Sequence, residues 1–148
     1  MKKKIHSISS IIKKIEKFKK SRKSIVLCHG VFDLIHIGHI KHFEEAKNHG
    51  SILVVSVTPD VYVKKGPNRP VFNENLRVEA LNSIEYIDYI FINKWPTAIE
   101  TINKIKPEVY FKGPDYKKNR NDLTGKIVDE KKAIKKVGGQ IKFSRSET

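Results

Sequence analysis

The chain predicts a doubly wound α/β fold: a five-stranded parallel sheet with helices on both faces, preceded by an N-terminal amphipathic helix. Three observations predict it. Short apolar runs without alternation recur along the chain, as in strands covered on both faces. Amphipathic stretches with helical spacing alternate with those runs. Turns rich in Gly, Pro and Asn separate the two kinds of segment.

The elements follow in order. Ile8, Ile11, Ile12, Ile15 and Phe18 share one helical face over residues 7–20, with lysines opposite and Ser7 as cap. Residues 24–29 form the first strand. A helix over about 38–49 buries Ile40, Phe43 and Ala46 and stops at Gly50. Residues 52–57 form a second buried strand. Thr58-Pro59-Asp60 reads as a helix N-cap, a proline in the first position and an early acid. The basic loop 64–70 reads either as a surface connection or as a flap over phosphates. Over 73–83 a helix capped by Asn73 turns Leu76, Ala80 and Leu81 inward. The third strand covers 87–92. Thr97 and Glu100 form a capping box for a helix to Ile105, which Pro107 ends. A short fourth strand, 109–111, leads into the turn 112–116 and the polar loop 117–122. A helix over about 124–137, broken at Gly138-Gly139, and a last strand, 141–143, complete the alternation.

At 148 residues and 39% hydrophobic content, the chain suits one domain that buries roughly 70% of its unfolded surface. No apolar run reaches the roughly 18 residues a membrane span needs, and lysines interrupt the N-terminal isoleucines, which argues against a signal peptide. The single cysteine, Cys28, excludes an internal disulfide and reads as a small core residue. These points favour the cytoplasm. The net charge of +14 is nearly all lysine and is spread over the whole chain. It reads as solvated faces that also attract polyphosphate, rather than as a nucleic-acid surface.

The stretch most able to carry chemistry is Cys28-His29-Gly30-Val31-Phe32-Asp33-Leu34-Ile35-His36-Ile37-Gly38-His39. It joins a strand end to a helix start. First-turn amides of a helix have no partner within it, and the helix dipole is positive there, so such an end binds phosphate. His36 and His39 stand three apart and can face one anion. Gly30 and Gly38 allow close approach of the backbone. The incidental reading is a plain strand-to-helix turn. In doubly wound sheets ligands bind at the strands' carboxyl ends, where this turn, the 58–60 turn and the 112–116 turn would all open. His6, His42 and His49 read as surface histidines.

This stretch resembles the Gly-x-Phe-Asp-x-x-His-x-Gly-His signature of the cytidylyltransferase-like nucleotidyltransferases. The resemblance extends through Arg69-Pro70-Val71, Leu76-Arg77, Tyr86-Ile87-Asp88 and residues 107–116, and covers about 24–145. Lys112-Gly113-Pro114-Asp115-Tyr116 and Arg69-Pro70-Val71 look most like the nucleotidyltransferase domain of ADP-heptose synthase. Glycerol-3-phosphate cytidylyltransferase is a more distant likeness.

The resemblance implies a Rossmann-like sheet and transfer of a nucleotidyl group from an NTP to a phosphorylated sugar or polyol, with release of pyrophosphate. It leans to ATP and a heptose or other sugar 1-phosphate; CTP with glycerol phosphate or another phosphorylated acceptor is the alternative. A nucleotide sensor or a nucleic-acid-binding module is the non-enzymatic one. By resemblance His36, His39, Lys65 and Arg77 are catalytic. Gly30, Val31, Phe32, Asp33, Gly38, Lys112, Gly113, Asp115, Tyr116 and Arg145 bind nucleotide. Lys64, Asp60 and Arg77 bind substrate. Mg²⁺ enters through the phosphates, with no dedicated protein cage and Asp33 as the nearest carboxylate. The family pattern continues past Arg145 into a Ser/Thr-rich motif, so the chain is expected to be a fragment, fused elsewhere to a sugar-kinase-like domain. A homodimer is expected, through the 88–96 loop with Trp95 or through the first helix.

Overall fold

The apolar runs pair side by side and leave their flanking amphipathic stretches to cover them. The computed structural model describes residues 3–63, 66–114 and 126–145. The strands are β1 Ile25–Gly30, β2 Ile52–Val57, β3 Tyr89–Ile92, β4 Val109–Lys112 and β5 Gln140–Phe143. All pairings are parallel, in the order β3-β2-β1-β4-β5. The chain winds outward from β1 through β2 to β3, then crosses back to β4 and β5. The switch point therefore lies between β1 and β4, where doubly wound sheets bind ligands.

The helices are α1 Ile8–Lys20, α2 Ile37–Lys47, α3 Glu74–Asn82, α4 Ile99–Ile105 and α5 Lys126–Lys136. Alternation along each strand divides the core. Ile25, Leu27, Val54, Phe91 and Tyr110 face α1, α4 and α5. Val26, Cys28, Leu53, Val55 and Phe111 face α2 and α3. Ser7 caps α1 by accepting from Ser10 N at 3.2 Å, and Asn73 caps α3 by accepting from Leu76 N at 2.9 Å, as the sequence predicts.

Several expectations are corrected. In α3 the buried side chains are Arg77, Val78 and Leu81; Leu76 is 49% exposed and Ala80 is also exposed. Arg77 claims the inward position, which turns the helix away from the face that Leu76 and Ala80 would have set. The Thr97–Glu100 box does not form. Ala98 is the N-cap of α4, and its N–H donates at 2.9 Å to Glu130, a buried carboxylate on α5. Glu130 also accepts from Tyr110 Oη at 2.8 Å, so it fastens α5 to α4 and β4. After β2 the expected short turn of helix forms as a 3₁₀ turn, Asp60–Tyr62, but its N-cap is Pro59 and Thr58 gives it no side-chain cap.

Arg77 is only 1% exposed. Its Nε donates to Phe72 O at 3.0 Å. Its Nη1 donates to Val31 O at 2.8 Å and Thr58 O at 2.7 Å. Its Nη2 pairs with Asp60 Oδ1 at 2.7 Å. The guanidinium therefore binds the chain leaving β1, the chain leaving β2 and the entrance of α3. It lies beneath the carboxyl edge as a clamp, where the sequence reading had it facing phosphate, and it engages the Asp60 carboxylate that was expected to meet substrate.

His42 is buried at 8% exposure, not on the surface. On α2 it packs against the Phe111 ring at 4.9 Å, with Cys28 Sγ 3.8 Å from its Nε2. Burial, aided by the charge on Lys112, lowers its pKa to about 4; Glu45 opposes this and His39 adds to it. Burial raises the Cys28 thiol far above its usual value, only partly offset by Lys112, so Cys28 stays a protonated core group.

Two stability predictions follow from these buried groups. Arg77→Met leaves the Val31, Thr58 and Phe72 carbonyls without their donor. A urea melt is expected to show a loss of about 3 kcal/mol, since an orphaned buried polar group costs about 1–3 kcal/mol. For His42 the folded pKa lies below the ordinary value of 6.5. Its contribution is complete above pH 6.5 and is lost as pH falls toward about 4, because the unfolded chain binds the proton first. At about 1.4 kcal/mol per pH unit that acid limb amounts to roughly 3 kcal/mol. Urea midpoints of His42→Leu are expected to fall less steeply than the parent's over that range.

Candidate active site

The site grows from the end of β1. Gly30 has no Cβ because the Phe32 ring lies over it: a Cβ there would stand 2.9 Å from Phe32 Cζ. Phe32 itself adopts a left-handed backbone, φ 53°, a conformation that costs a side-chain-bearing residue roughly 1–2 kcal/mol. Ring packing holds it there. Its centroid lies 5.2 Å from Phe43 and 6.2 Å, edge-on, from His39. The turn that the sequence marks as a close approach of ligand is thus first a close approach of Phe32.

Asp33 follows, its side chain 7% exposed. It accepts from Val71 N at 2.7 Å, Phe72 N at 2.8 Å and Arg69 Nη1 at 3.3 Å. Burial alone would raise its pKa, but the Phe72 and Val71 amides and the Arg69 guanidinium outweigh it and hold the carboxyl below its ordinary value. Asp33 therefore ties the β1–α2 loop to residues 69–72. Both of its oxygens accept backbone N–H bonds, which suits shaping the turn better than coordinating a metal.

His36 is the N-cap of α2 and His39 its third residue. The Gly38 amide donates to His36 Nδ1 at 3.0 Å, and the His36 amide donates to His39 Nδ1 at 3.2 Å. This is a capping box built from two imidazoles. The rings lie 4.2 Å apart, centroid to centroid, at 59°. Because each Nδ1 accepts a backbone hydrogen, each neutral ring carries its own hydrogen on Nε2. Fold and tautomer are set by the same two bonds. The arrangement can supply two imidazole N–H donors beside the first-turn amides of a helix, which is an anion site.

The other expected residues are distributed around this pair. Lys112 ends β4 and Gly113 follows it, across the switch point from β1; Lys112 Nζ lies 5.3 Å from the Tyr110 ring, and no atom of the described residues lies within 4 Å of where a Gly113 Cβ would stand. Arg145 is exposed just after β5. Its backbone N–H donates to Glu45 Oε2 at 2.9 Å and Oε1 at 3.2 Å, and Ser144 Oγ donates to Glu45 at 3.0 Å. Lys64, Lys65, Asp115 and Tyr116 lie outside the described residues. Among the described residues no group of three or more His, Cys, Asp or Glu side chains could hold a metal. A surface hollow of about 560 Å³ runs along the outer side of α2, lined by Lys41, Glu44, Glu45, Lys47, Asn48 and Tyr86; none of the site's histidines lines it.

Two features escape the sequence reading. His29 sits at the end of β1 on the face opposite α2, with Nδ1 2.7 Å from Ser56 Oγ and Nε2 3.5 Å from Thr58 Oγ1. Strand alternation from Leu27 could have placed it there. Arg69 stands beside Asp33, its side chain 40% exposed, and no local pattern signals that pairing.

Comparison with known proteins gives the chain's relatives. Residues 27–145 match the family model of cytidylyltransferase-like proteins. The bifunctional protein HldE of Aliarcobacter butzleri is 39% identical over 139 residues, covering 92% of this chain and 29% of the relative. HldE of Campylobacter jejuni is 41% identical over 101 residues, covering 67% and 22%. The chain spans about a quarter of the length of such relatives. Among solved structures, a lipopolysaccharide core biosynthesis protein from Thermoplasma volcanium superposes with a TM-score of 0.66 at 26% identity, covering 84% of this chain and 99% of that one. A pantoate–β-alanine ligase from Francisella tularensis superposes with a TM-score of 0.64 at 15% identity, over 99% and 68% of the two chains, and shares the fold alone. With its paired imidazoles at the head of α2 and a match over most of its length, the chain belongs to the cytidylyltransferase-like family.

Proposed function

We propose that this chain transfers a nucleotidyl group from an NTP, with ATP favoured, to the phosphate of a sugar 1-phosphate, releasing pyrophosphate. The observation that carries this reading is the two-imidazole cap of α2. It presents donors to an anion and offers no nucleophile, which is what direct transfer between two phosphates needs. An acceptor phosphate oxygen attacks the α-phosphorus; the bond from that phosphorus to the bridging oxygen breaks, and pyrophosphate leaves with the electron pair. Negative charge on the phosphoryl oxygens meets the Nε2 hydrogens of His36 and His39. Mg²⁺ would supply further charge neutralisation and would be held mainly by the phosphates and water, since both Asp33 oxygens already accept from backbone amides.

The similarity to bifunctional HldE proteins and to a lipopolysaccharide core biosynthesis protein supports a sugar phosphate as acceptor, heptose 1-phosphate first among them. That such relatives are bifunctional, with this chain covering about a quarter of their length, supports a further unit beside this one, and a sugar-kinase type for it is part of the proposal.

The test is a pyrophosphate-release screen of ATP and CTP against sugar 1-phosphates and polyol phosphates. Release is expected only with an acceptor present, and fastest with ATP and a heptose 1-phosphate. ATP hydrolysis that ignores every acceptor would refute the reading.

A second prediction separates chemistry from folding. His36→Ala and His39→Ala are expected to lower kcat by roughly a hundredfold or more, the usual worth of a transition-state charge donor. His36→Asn keeps a side-chain oxygen able to cap the helix, so its melting temperature should stay near the parent's while turnover remains low. Recovery of turnover in His36→Asn would show that the imidazole serves only as a cap.

A further inference from the structure

We propose that Arg69 is a phosphate-binding residue of this site; the proposal rests on the nucleotidyl-transfer reading and supplies the arginine that the sequence had sought in Arg77. Arg77 is unavailable. Its guanidinium is wholly enclosed and donates to three carbonyls and a carboxylate. Arg69 is the contrary case. Its side chain is 40% exposed, and among the described residues its guanidinium makes a single contact, from Nη1 to Asp33 Oδ2 at 3.3 Å.

That contact is the longest of the three that Asp33 accepts. The Val71 and Phe72 amides, at 2.7 and 2.8 Å, already hold the carboxylate. Asp33 therefore aims the guanidinium without using up its fork. A surface ion pair with this geometry contributes little by itself, whereas a planar guanidinium with most of its N–H groups unspent suits bidentate binding of phosphate oxygens.

The position fits as well. Asp33 stands three residues before His36, so at most about 11 Å of chain separates them. The segment bearing Arg69 is pinned from two sides, by Asp33 at Val71 and Phe72 and by Arg77 Nε at Phe72 O. It follows β2, whereas Lys112 ends β4 and Gly113 follows it, on the other side of β1. Arg69, held by Asp33 in the β1–α2 loop, thus lies on the β2 side of β1, away from the residues expected at the nucleoside. The phosphate it meets belongs either to the end of the triphosphate or to the acceptor.

The experiment compares the parent chain with Arg69→Gln and Arg69→Lys. Calorimetric titration measures the Kd of ATP and of inorganic tripolyphosphate, and steady-state assays measure the KM of the sugar phosphate. A rise of tenfold or more in both Kd values for Arg69→Gln places the contact on the triphosphate. A similar rise in acceptor KM alone places it on the acceptor. Arg69→Lys is expected to recover only part of the loss.

All three quantities within twofold of the parent would overturn the proposal. Should Arg69→Gln lower the melting temperature, the titrations are repeated from about 0.05 to 0.5 M salt, where screening weakens a direct charge contact. A gap from the parent that narrows with salt supports direct contact; a constant gap overturns it. Tripolyphosphate binding needs no turnover. A chain that binds it through Arg69 yet never releases pyrophosphate would refute the transfer reading and leave this proposal standing.

Discussion

The guanidinium of Arg77 meets three stretches of chain that are far apart in sequence: Val31 after β1, Thr58 after β2 and Phe72 before α3. Each contributes a backbone carbonyl that accepts from the guanidinium, the Thr58 one buried and the Val31 and Phe72 ones partly so. A buried carbonyl without a donor is costly, and apolar packing could not supply one. A planar cation with five N–H groups can satisfy several at once, and Asp60 at 2.7 Å balances its charge from the half-exposed side. The carboxyl edge of the sheet is therefore a platform with its loops bolted to one another. Everything at the head of α2 stands on it.

On that platform, local folding and chemistry share the same atoms. A serine and a glutamate would cap α2 as well as two histidines do. They would not leave a ring N–H at each position. Because His36 and His39 spend Nδ1 on the backbone, the cap selects the tautomer that keeps Nε2 as donor. Phe32 adds the third constraint. Its left-handed backbone places its ring between Gly30, Phe43 and His39, so the edge of His39 is packed as well as hydrogen-bonded. Donors fixed before substrate arrives need no reorganisation during the reaction.

Local signals were legible in the sequence and long-range ones were not. Ser7 and Asn73 cap helices three residues ahead, and the apolar runs of β1 and β2 announce strands covered on both faces. The nearness of the His36 and His39 rings, 4.2 Å apart, follows from their spacing because one helical turn decides it. Arg77 reads wrongly because its partners lie up to 46 residues away in the chain. The inward face of α3 follows from that error: Leu76, Ala80 and Leu81 fit helical spacing, but a buried guanidinium at position 77 rotates Val78 inward instead. Thr97 and Glu100 have the spacing of a capping box, yet among the described residues Thr97 Oγ1 accepts only from Ile99 N, at 3.3 Å, and Glu130 reaches the Ala98 amide from another helix. His42 looks like surface by residue type; only the meeting of α2 with Cys28 of β1 and Phe111 of β4 buries it.

The placement of α2 explains why so much buried polarity is spent away from the reacting groups. Its first turn carries the imidazoles. Its last turn is held by Lys47, which pairs with Asp88 at 2.5 Å while Asp88 accepts from Leu53 N at 2.8 Å. In the same turn Glu45 receives the chain leaving β5 through Ser144 and Arg145. The helix is thus fastened to β2, to the approach to β3 and to the exit of β5. Transfer between two phosphates gives the protein no covalent step to perform, so its contribution is position and charge, and a small displacement of the donors forfeits much of it. A helix free to slide along the sheet would carry the same residues and lose their effect. The ion pair and the carboxylate of its last turn are, on this argument, as much a part of the site as the histidines at its head.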